Sequence, residues 1–141
     1  MLWCPKCFNV SRVYLRDKES RKCTNEDCTG LMEHVDELMV PILNLLNCKG
    51  YITTGCCSGH LYGDGVNTYI SFSVSINHGI PKGFNLISVN DQLGSVVKIE
   101  YMYFPKSMQE AMMMIANNWK TLYTWAESLP AIKSEDQIEV S

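Results

Sequence analysis

Four cysteines constrain the N-terminal segment more tightly than any other feature of this chain. Cys4 and Cys7 stand in the run Cys-Pro-Lys-Cys, and Cys23 and Cys28 follow, giving the pattern C-x2-C, fifteen residues, C-x4-C. Two close thiol pairs suit one tetrahedral zinc ion, each pair forming a short knuckle while the segment between them folds back as a hairpin. That segment has few apolar side chains from which to build a core. A bound zinc supplies the missing stability, on the order of 10 kcal/mol in small zinc modules. Four sulfurs fill the coordination sphere, so the ion is expected to be structural. The ribbon is assigned residues 1–32. Within it, Val10–Leu15 reads as a strand and Arg16–Lys22 as an exposed turn. Trp3, Lys6 and Arg12 are candidates for a docking surface on it.

The thiol count bears on compartment. There are seven cysteines, an odd number, with Cys48, Cys56 and Cys57 left over from the ribbon. The opening Met-Leu-Trp-Cys-Pro-Lys-Cys has no basic leader followed by an apolar stretch, and no apolar run approaches membrane-spanning length. A cytoplasmic chain with reduced thiols is expected, in which paired spacing means metal and not disulfides. With 12 basic and 15 acidic side chains the net charge is -3, so there is no strong positive field to draw in nucleic acid. An apolar fraction of 46% is enough for a packed domain of this length.

Beyond the ribbon, Val35, Leu38, Met39, Ile42, Leu45 and Leu46 recur at helical spacing, with Asp36 as N-cap, Pro41 near the start and Gly50 at the end. Tyr51–Thr54 reads as a short strand, followed by turns at Gly55–His60 and Gly63–Gly65. Tyr69–Ile76 alternates cleanly. Ile70, Phe72, Val74 and Ile76 point one way, and Tyr69, Ser71, Ser73 and Ser75 the other. Asn85–Val89 is a weaker strand; Val96–Phe104 is a stronger one, with Val97, Ile99, Tyr101 and Tyr103 on one face. A long helix closes the fold, capped by Ser107 and Glu110. Its apolar stripe reads Met108, Met112, Ile115, Trp119, Leu122, Ala126, Leu129, and Pro130 ends it. Tyr123 and Trp125 fall off that stripe, which leaves apolar surface for a homodimer through this C-terminal helix. The expected fold class is α+β: an N-terminal zinc ribbon, then, over 33–130, a two-layer domain with a mainly antiparallel sheet and two helices, then a polar tail at 131–141.

The second candidate for chemistry is the loop Thr53-Thr54-Gly55-Cys56-Cys57-Ser58-Gly59-His60. Its Gly and Ser amides suit an anion-holding nest for a phosphate or carboxylate. Cys57 with His60 suits a thiolate–imidazole pair, though no third orienting residue is visible. Cys56, Cys57 and His60 suit a second metal site, though adjacent cysteines chelate one ion poorly. The plain alternative is a tight turn with buried thiols. For a ligand, the expected contacts are Thr54, Cys57, Ser58, Gly59 and His60, with Ser71 and Ser73 from the polar strand face, and Tyr101 and Tyr103 beside them. That face reads equally as a solvated one. No catalytic residue is assigned; His34 stands alone, and His78 is at most at a pocket rim.

The segment from Asn47 to His60, with the four-cysteine ribbon, the acidic link Glu33-His34-Val35-Asp36-Glu37 and the Cys-Cys-Ser-Gly-His loop, resembles a group of uncharacterised phage and prophage proteins of Gram-positive bacteria. That resemblance implies a viral origin. A shorter stretch is similar to the wybutosine-synthesising tRNA methyltransferase family, whose strand runs into Thr-Ser-Ser-Cys-Ser-Gly-Arg. Cys57, Ser58 and Gly59 match that signature, while Cys56 replaces a serine and His60 replaces the arginine. The lost arginine removes an always-charged fork for phosphate or carboxylate. Together these readings lead us to expect a zinc-stabilised, phage-type binding protein. Its ligand would be a nucleotide, nucleic acid or host protein, and it would inhibit host function or defence in the host cytoplasm. The alternatives are an RNA- or nucleotide-directed transferase using the Cys56–His60 loop, and an adaptor docking through the ribbon.

Overall fold

A computed structural model of the chain describes residues 1–12, 21–59, 61, 62, 65–91 and 94–132. The ribbon rests on three two-residue strands, β1 (Leu2–Trp3), β2 (Val10–Ser11) and β3 (Glu33–His34), with β1 central and antiparallel to both neighbours. The expected strand from Val10 is strand only to Ser11 among the described residues, and Val13–Leu15 lie outside them. Leu2, Cys4 and Met32 form a small buried cluster beside the cysteines. Trp3 points the other way and is fully buried in the main core, where its Nε1 donates to Asn44 Oδ1 at 2.7 Å. Phe8 stacks on it at 6.2 Å and 3°. Trp3 is therefore no docking residue but the bolt joining ribbon and core. Lys6 Nζ donates to Thr29 Oγ1, and Arg12 pairs with Glu37 at 2.9 Å in solvent.

The link after β3 winds into a helix where the sequence expects one. Asp36 Oδ1 accepts from the Leu38 N–H, opening a single 3-10 turn at Glu37–Met39 that runs straight into α1 (Val40–Cys48). Pro41 sits in the first turn of α1, where its missing N–H costs no helical bond. Ile42, Leu43 and Leu46 give α1 its buried face.

The sheet is antiparallel throughout: β4 (Thr53–Cys57), β6 (Gly65–Phe72), β8 (Gly94–Tyr103) and β7 (Asn85–Asp91) lie in that order, and β5 (Leu61–Tyr62) pairs with the start of β6. Two expectations shift. The first strand begins at Thr53 and includes Gly55-Cys56-Cys57, so both cysteines belong to a strand and not to a turn. The strand expected over Tyr69–Ile76 lies earlier, at Gly65–Phe72: Val66 and Thr68 continue the buried row of Ile70 and Phe72, and Ser73–Ile76 fall beyond it.

The last helix, α2 (Met108–Ser128), starts as expected: Ser107 Oγ accepts from the Glu110 N–H at 3.1 Å. Its buried residues are Ala111, Asn118, Leu122, Trp125 and Ala126. Leu129, just past its end, is also buried. The expected stripe is thus right only in its C-terminal half; Met108 and Met112 are 61% and 65% exposed, while Trp125 is core. Both helices cover one sheet face, enclosing Ile70, Phe72, Val74 and Ile99. Their C-terminal ends are tied together. Lys49 Nζ donates to the Ala126 and Glu127 carbonyls at 2.8 and 2.7 Å, and Tyr51 Oη donates to the Pro130 carbonyl. A cation there also offsets the negative end of the α2 dipole. The chain is therefore α+β, a cysteine ribbon followed by a two-layer domain of sheet and two helices.

Candidate functional site

The knuckle at Cys-Pro-Lys-Cys closes when the Phe8 N–H donates to the Cys4 carbonyl at 2.8 Å and the Cys4 N–H to the Asn9 carbonyl at 2.9 Å. The second pair is drawn in by β3, which runs beside β1, and by the Lys22–Leu31 bridge. The Sγ atoms of Cys4, Cys7, Cys23 and Cys28 all lie within 4.8 Å of one another. Cys4–Cys28 are 3.8 Å apart and Cys7–Cys23 3.4 Å. Sulfurs about 2.3 Å from a central tetrahedral ion lie just under 4 Å apart, so the four thiols have the spacing of a closed metal site.

The surroundings fit a charged sulfur cluster. The Asn25 and Gly30 N–H groups donate to Cys23 and Cys28 Sγ, each at 3.4 Å. Gly30 leaves the room: a Cβ there would lie 2.8 Å from Cys4 Sγ and 3.3 Å from Cys28 Sγ. The backbone N–H of Asn9 brings the Cys7 thiol down to about 7, below its ordinary value. At Cys28 the Gly30 N–H pulls the same way, but burial and the neighbouring thiols outweigh it and leave that thiol at about 11. Four sulfurs that cannot all ionise side by side are what a divalent cation resolves.

The loop after β4 is a separate structure. Ser58 is 3% exposed, and its N–H and Oγ–H both donate to Asp36 Oδ2, the N–H at 3.1 Å. Its carbonyl accepts from Thr68 Oγ1 at 3.0 Å, and Asn118 Nδ2 donates to the same hydroxyl at 3.4 Å. Link, loop, strand and α2 are thereby joined by one buried polar chain. Of the amides expected to form an anion nest, that of Ser58 is taken by the chain's own Asp36 carboxylate. Gly59 is buried at φ +114, and a Cβ there would lie 2.8 Å from Val66 Cγ1.

The two cysteines of β4 face opposite ways. Cys56 stands opposite Ile70 and packs against the core; burial, joined by the Asp36 and Glu33 charges, pushes its thiol up to about 11. Cys57 stands opposite Tyr69 on the face the helices leave open. One ion cannot bridge them, and the Cys56 thiol is protonated at neutral pH. His60 lies outside the described residues. Thr54 is exposed on β4, and Ser71 pairs with Gly55 and Lys98 on the open face. The Ser73 N–H donates to the Ile52 carbonyl. Tyr101 pairs with Thr68 on the helix-covered face, so Tyr101 and Tyr103 do not share a pocket with Ser71. On the open face Lys98 Nζ lies 3.0 Å from Glu100 and 5.2 Å from the Tyr69 ring centre.

Ser58 and Gly59 instead floor a groove of about 630 Å³, walled by Asp36 and Leu38 on one side and Met112, Ile115, Ala116 and Trp119 on the other. Trp119 closes one end, its Nε1 donating to the Leu38 carbonyl at 2.6 Å and its ring stacked on Tyr123. Leu38 is 55% exposed. No cation stands among the described lining residues, and their single carboxylate is engaged by Ser58. Met112, Ile115 and Trp119 of this wall are legible in the sequence only as a helical stripe, which reads by default as core. No helix among the described residues is long and apolar enough to cross a membrane. No family model matches this chain, and neither a curated protein nor a solved structure matches it.

Proposed function

We propose that this chain is a zinc-stapled binding protein that takes an apolar segment of a partner protein into the groove between the Ser58–Gly59 loop and α2. The observation that carries the reading is the groove wall itself: Leu38, Met112, Ile115, Ala116 and Trp119 form an apolar trough at the surface. A methionine such as Met112 adapts to a range of apolar partners, and exposed apolar surface of this kind marks interaction sites. Among the described residues the lining has no cation, which argues against a nucleotide phosphate or a nucleic-acid backbone in this groove. The transferase alternative draws little support, since the Ser58 donors are spent on Asp36 and the Cys56 thiol is protonated. Zinc is the ion that suits four thiolates in closed tetrahedral array, and its role is to hold the ribbon that Trp3 bolts to the core. The resemblance to phage and prophage proteins supports a host protein as the partner, blocked in the host cytoplasm by occupation of this groove.

The test pairs two measurements. Native mass spectrometry should find one zinc per chain. A photo-crosslinking residue at Met112 should trap one host protein in cells, and Ala116→Arg, which fills the trough with a charge, should abolish that adduct without unfolding the protein. An adduct that persists in the Ala116→Arg variant, or recovery of RNA in its place, would remove the reading.

A further inference from the structure

We propose that β7 is a dimerisation edge: a second copy of this chain lays its own β7 antiparallel against the first and joins the two sheets into one. β7 ends the strand order and pairs with β8 over all seven residues from Asn85 to Asp91. In an antiparallel ladder half the backbone N–H and C=O groups of an end strand point away from its neighbour. Such rows are templates for another strand, and sheets blunt them with charges, prolines, bulges or short lengths.

The opposite edge follows that rule. β4 has five residues and a register shift between Thr53 and Gly55. Among its described residues β7 carries less of this protection, one charge at its very end, Asp91. Its register with β8 is unbroken, and Asn85-Leu86-Ile87-Ser88-Val89-Asn90 contains neither a charge nor a proline. Leu86 stands opposite the buried Ile99 on the helix-covered face, yet it is 48% exposed. Its outer flank is the side a further strand would cover.

A second copy fits this edge better than a foreign strand. The edge has no charged side chain within Asn85–Asn90 with which to select a partner, and it is self-complementary. Two β7 strands related by a two-fold axis normal to the sheet run antiparallel and keep both helix layers on one side. Overlap about Ser88, the strand's midpoint, pairs all seven residues and sets Asp91 opposite Asn85. No like charges then meet, although each copy carries a net charge of -3. Both Leu86 positions then lie on the helix-covered face at the seam, each opposite an Asn90 position of the other copy.

Sedimentation velocity on the full, metal-loaded chain across a concentration series tests this. The wild type should show mass doubling as concentration rises. Leu86→Lys, a change at an exposed position, should raise the dissociation constant at least about tenfold. Circular dichroism and metal content should not change. Hydrogen exchange should show β7 amides protected more strongly at high concentration in the wild type and not in Leu86→Lys. A wild type that stays monomeric throughout would overturn the proposal. So would a dimer that survives Leu86→Lys, or one that is broken by Met108→Lys on α2 instead. Groove crosslinking is untouched by Leu86→Lys, so failure here and failure of the groove reading are separable.

Discussion

Replacing Gly59 by alanine should be among the most damaging single-methyl additions in this protein, and the size of the effect can be built up from the structure. Two costs add. At φ +114 an L side chain strains the backbone, worth roughly 1–2 kcal/mol. The new Cβ also lies 2.8 Å from Val66 Cγ1, 3.1 Å from Ile115 Cγ1 and 3.1 Å from Thr68 Oγ1. Val66 and Thr68 are fully buried and β-branched, so neither can swing away cheaply. Overpacking of this kind costs about 1–3 kcal/mol. A shifted Thr68 would also lose its bond to the Ser58 carbonyl. Together the expected loss is roughly 2–5 kcal/mol, a large share of the stability of an ordinary domain. Gly79 supplies the control. It too has positive φ, +76, but a Cβ there would meet nothing within 4 Å. Gly79→Ala should therefore show the backbone cost alone. Both variants stiffen the unfolded chain equally, so the difference between them reports the packing contribution together with the extra strain at φ +114. Urea unfolding of both variants, compared by midpoint and slope, measures it. If the two lose equal stability within about 0.5 kcal/mol, the loop is not clamped between β6 and α2 as argued.

Three further outcomes follow from the same geometry. Asp36→Ala strands the buried Ser58 N–H and O–H together and should cost about 2–4 kcal/mol by urea unfolding; a loss under about 1 kcal/mol would mean that solvent reaches them. Removing the metal with a chelator should cost several kcal/mol, on the scale of small zinc modules, and should change near-ultraviolet circular dichroism, because the Trp3–Phe8 stack ties ribbon to core. A chelated protein that melts unchanged would make the ribbon dispensable. The Cys56 thiol, at about 11 when folded against an ordinary 9.0, gives an alkaline limit. The unfolded thiol ionises first, so the Cys56 contribution is intact below pH 9 and is lost as pH rises from 9 to 11. The full loss is about 3 kcal/mol, and Cys56→Ala should flatten that slope in pH-dependent denaturation.

Local rules with a single physical cause could be read from the chain. The cysteine spacing predicted the cluster that brings Cys4, Cys7, Cys23 and Cys28 within 4.8 Å, because thiol pairs that close in sequence have few other ways to share surroundings. The Ser107–Glu110 cap, the Asp36 cap and the helix stop near Pro130 all appear where side-chain chemistry placed them. Features settled by distant partners were less legible. Gly55-Cys56-Cys57 has the composition of a turn, yet it is a strand because β6 pairs with it. Ser58 reads as offering its donors to a ligand, because nothing local reveals that Asp36, twenty-two residues earlier, returns to take them.

The last helix shows the limit most clearly, and it bears on function. Met108, Met112, Ile115 and Trp119 form the more hydrophobic row, so periodicity assigns that row to the core. The helix instead turns Ala111 and Asn118 inward beside Leu122 and Trp125. Asn118 is the reason this is affordable: its amide reaches the Thr68 hydroxyl and completes the polar chain to Ser58 and Asp36. A small residue and a satisfied amide let α2 sit close over β6, and that seating pushes the larger methionines to the rim. The groove is thus a consequence of the buried network and not an accident of surface composition. Filling the Asn118 site with leucine would remove the amide and crowd β6, and the groove should be distorted along with the loop. Asn118→Leu is therefore expected to weaken crosslinking from Met112, though Asn118 is not one of the residues lining the groove. Undiminished crosslinking in a folded Asn118→Leu variant would show that groove and network are independent.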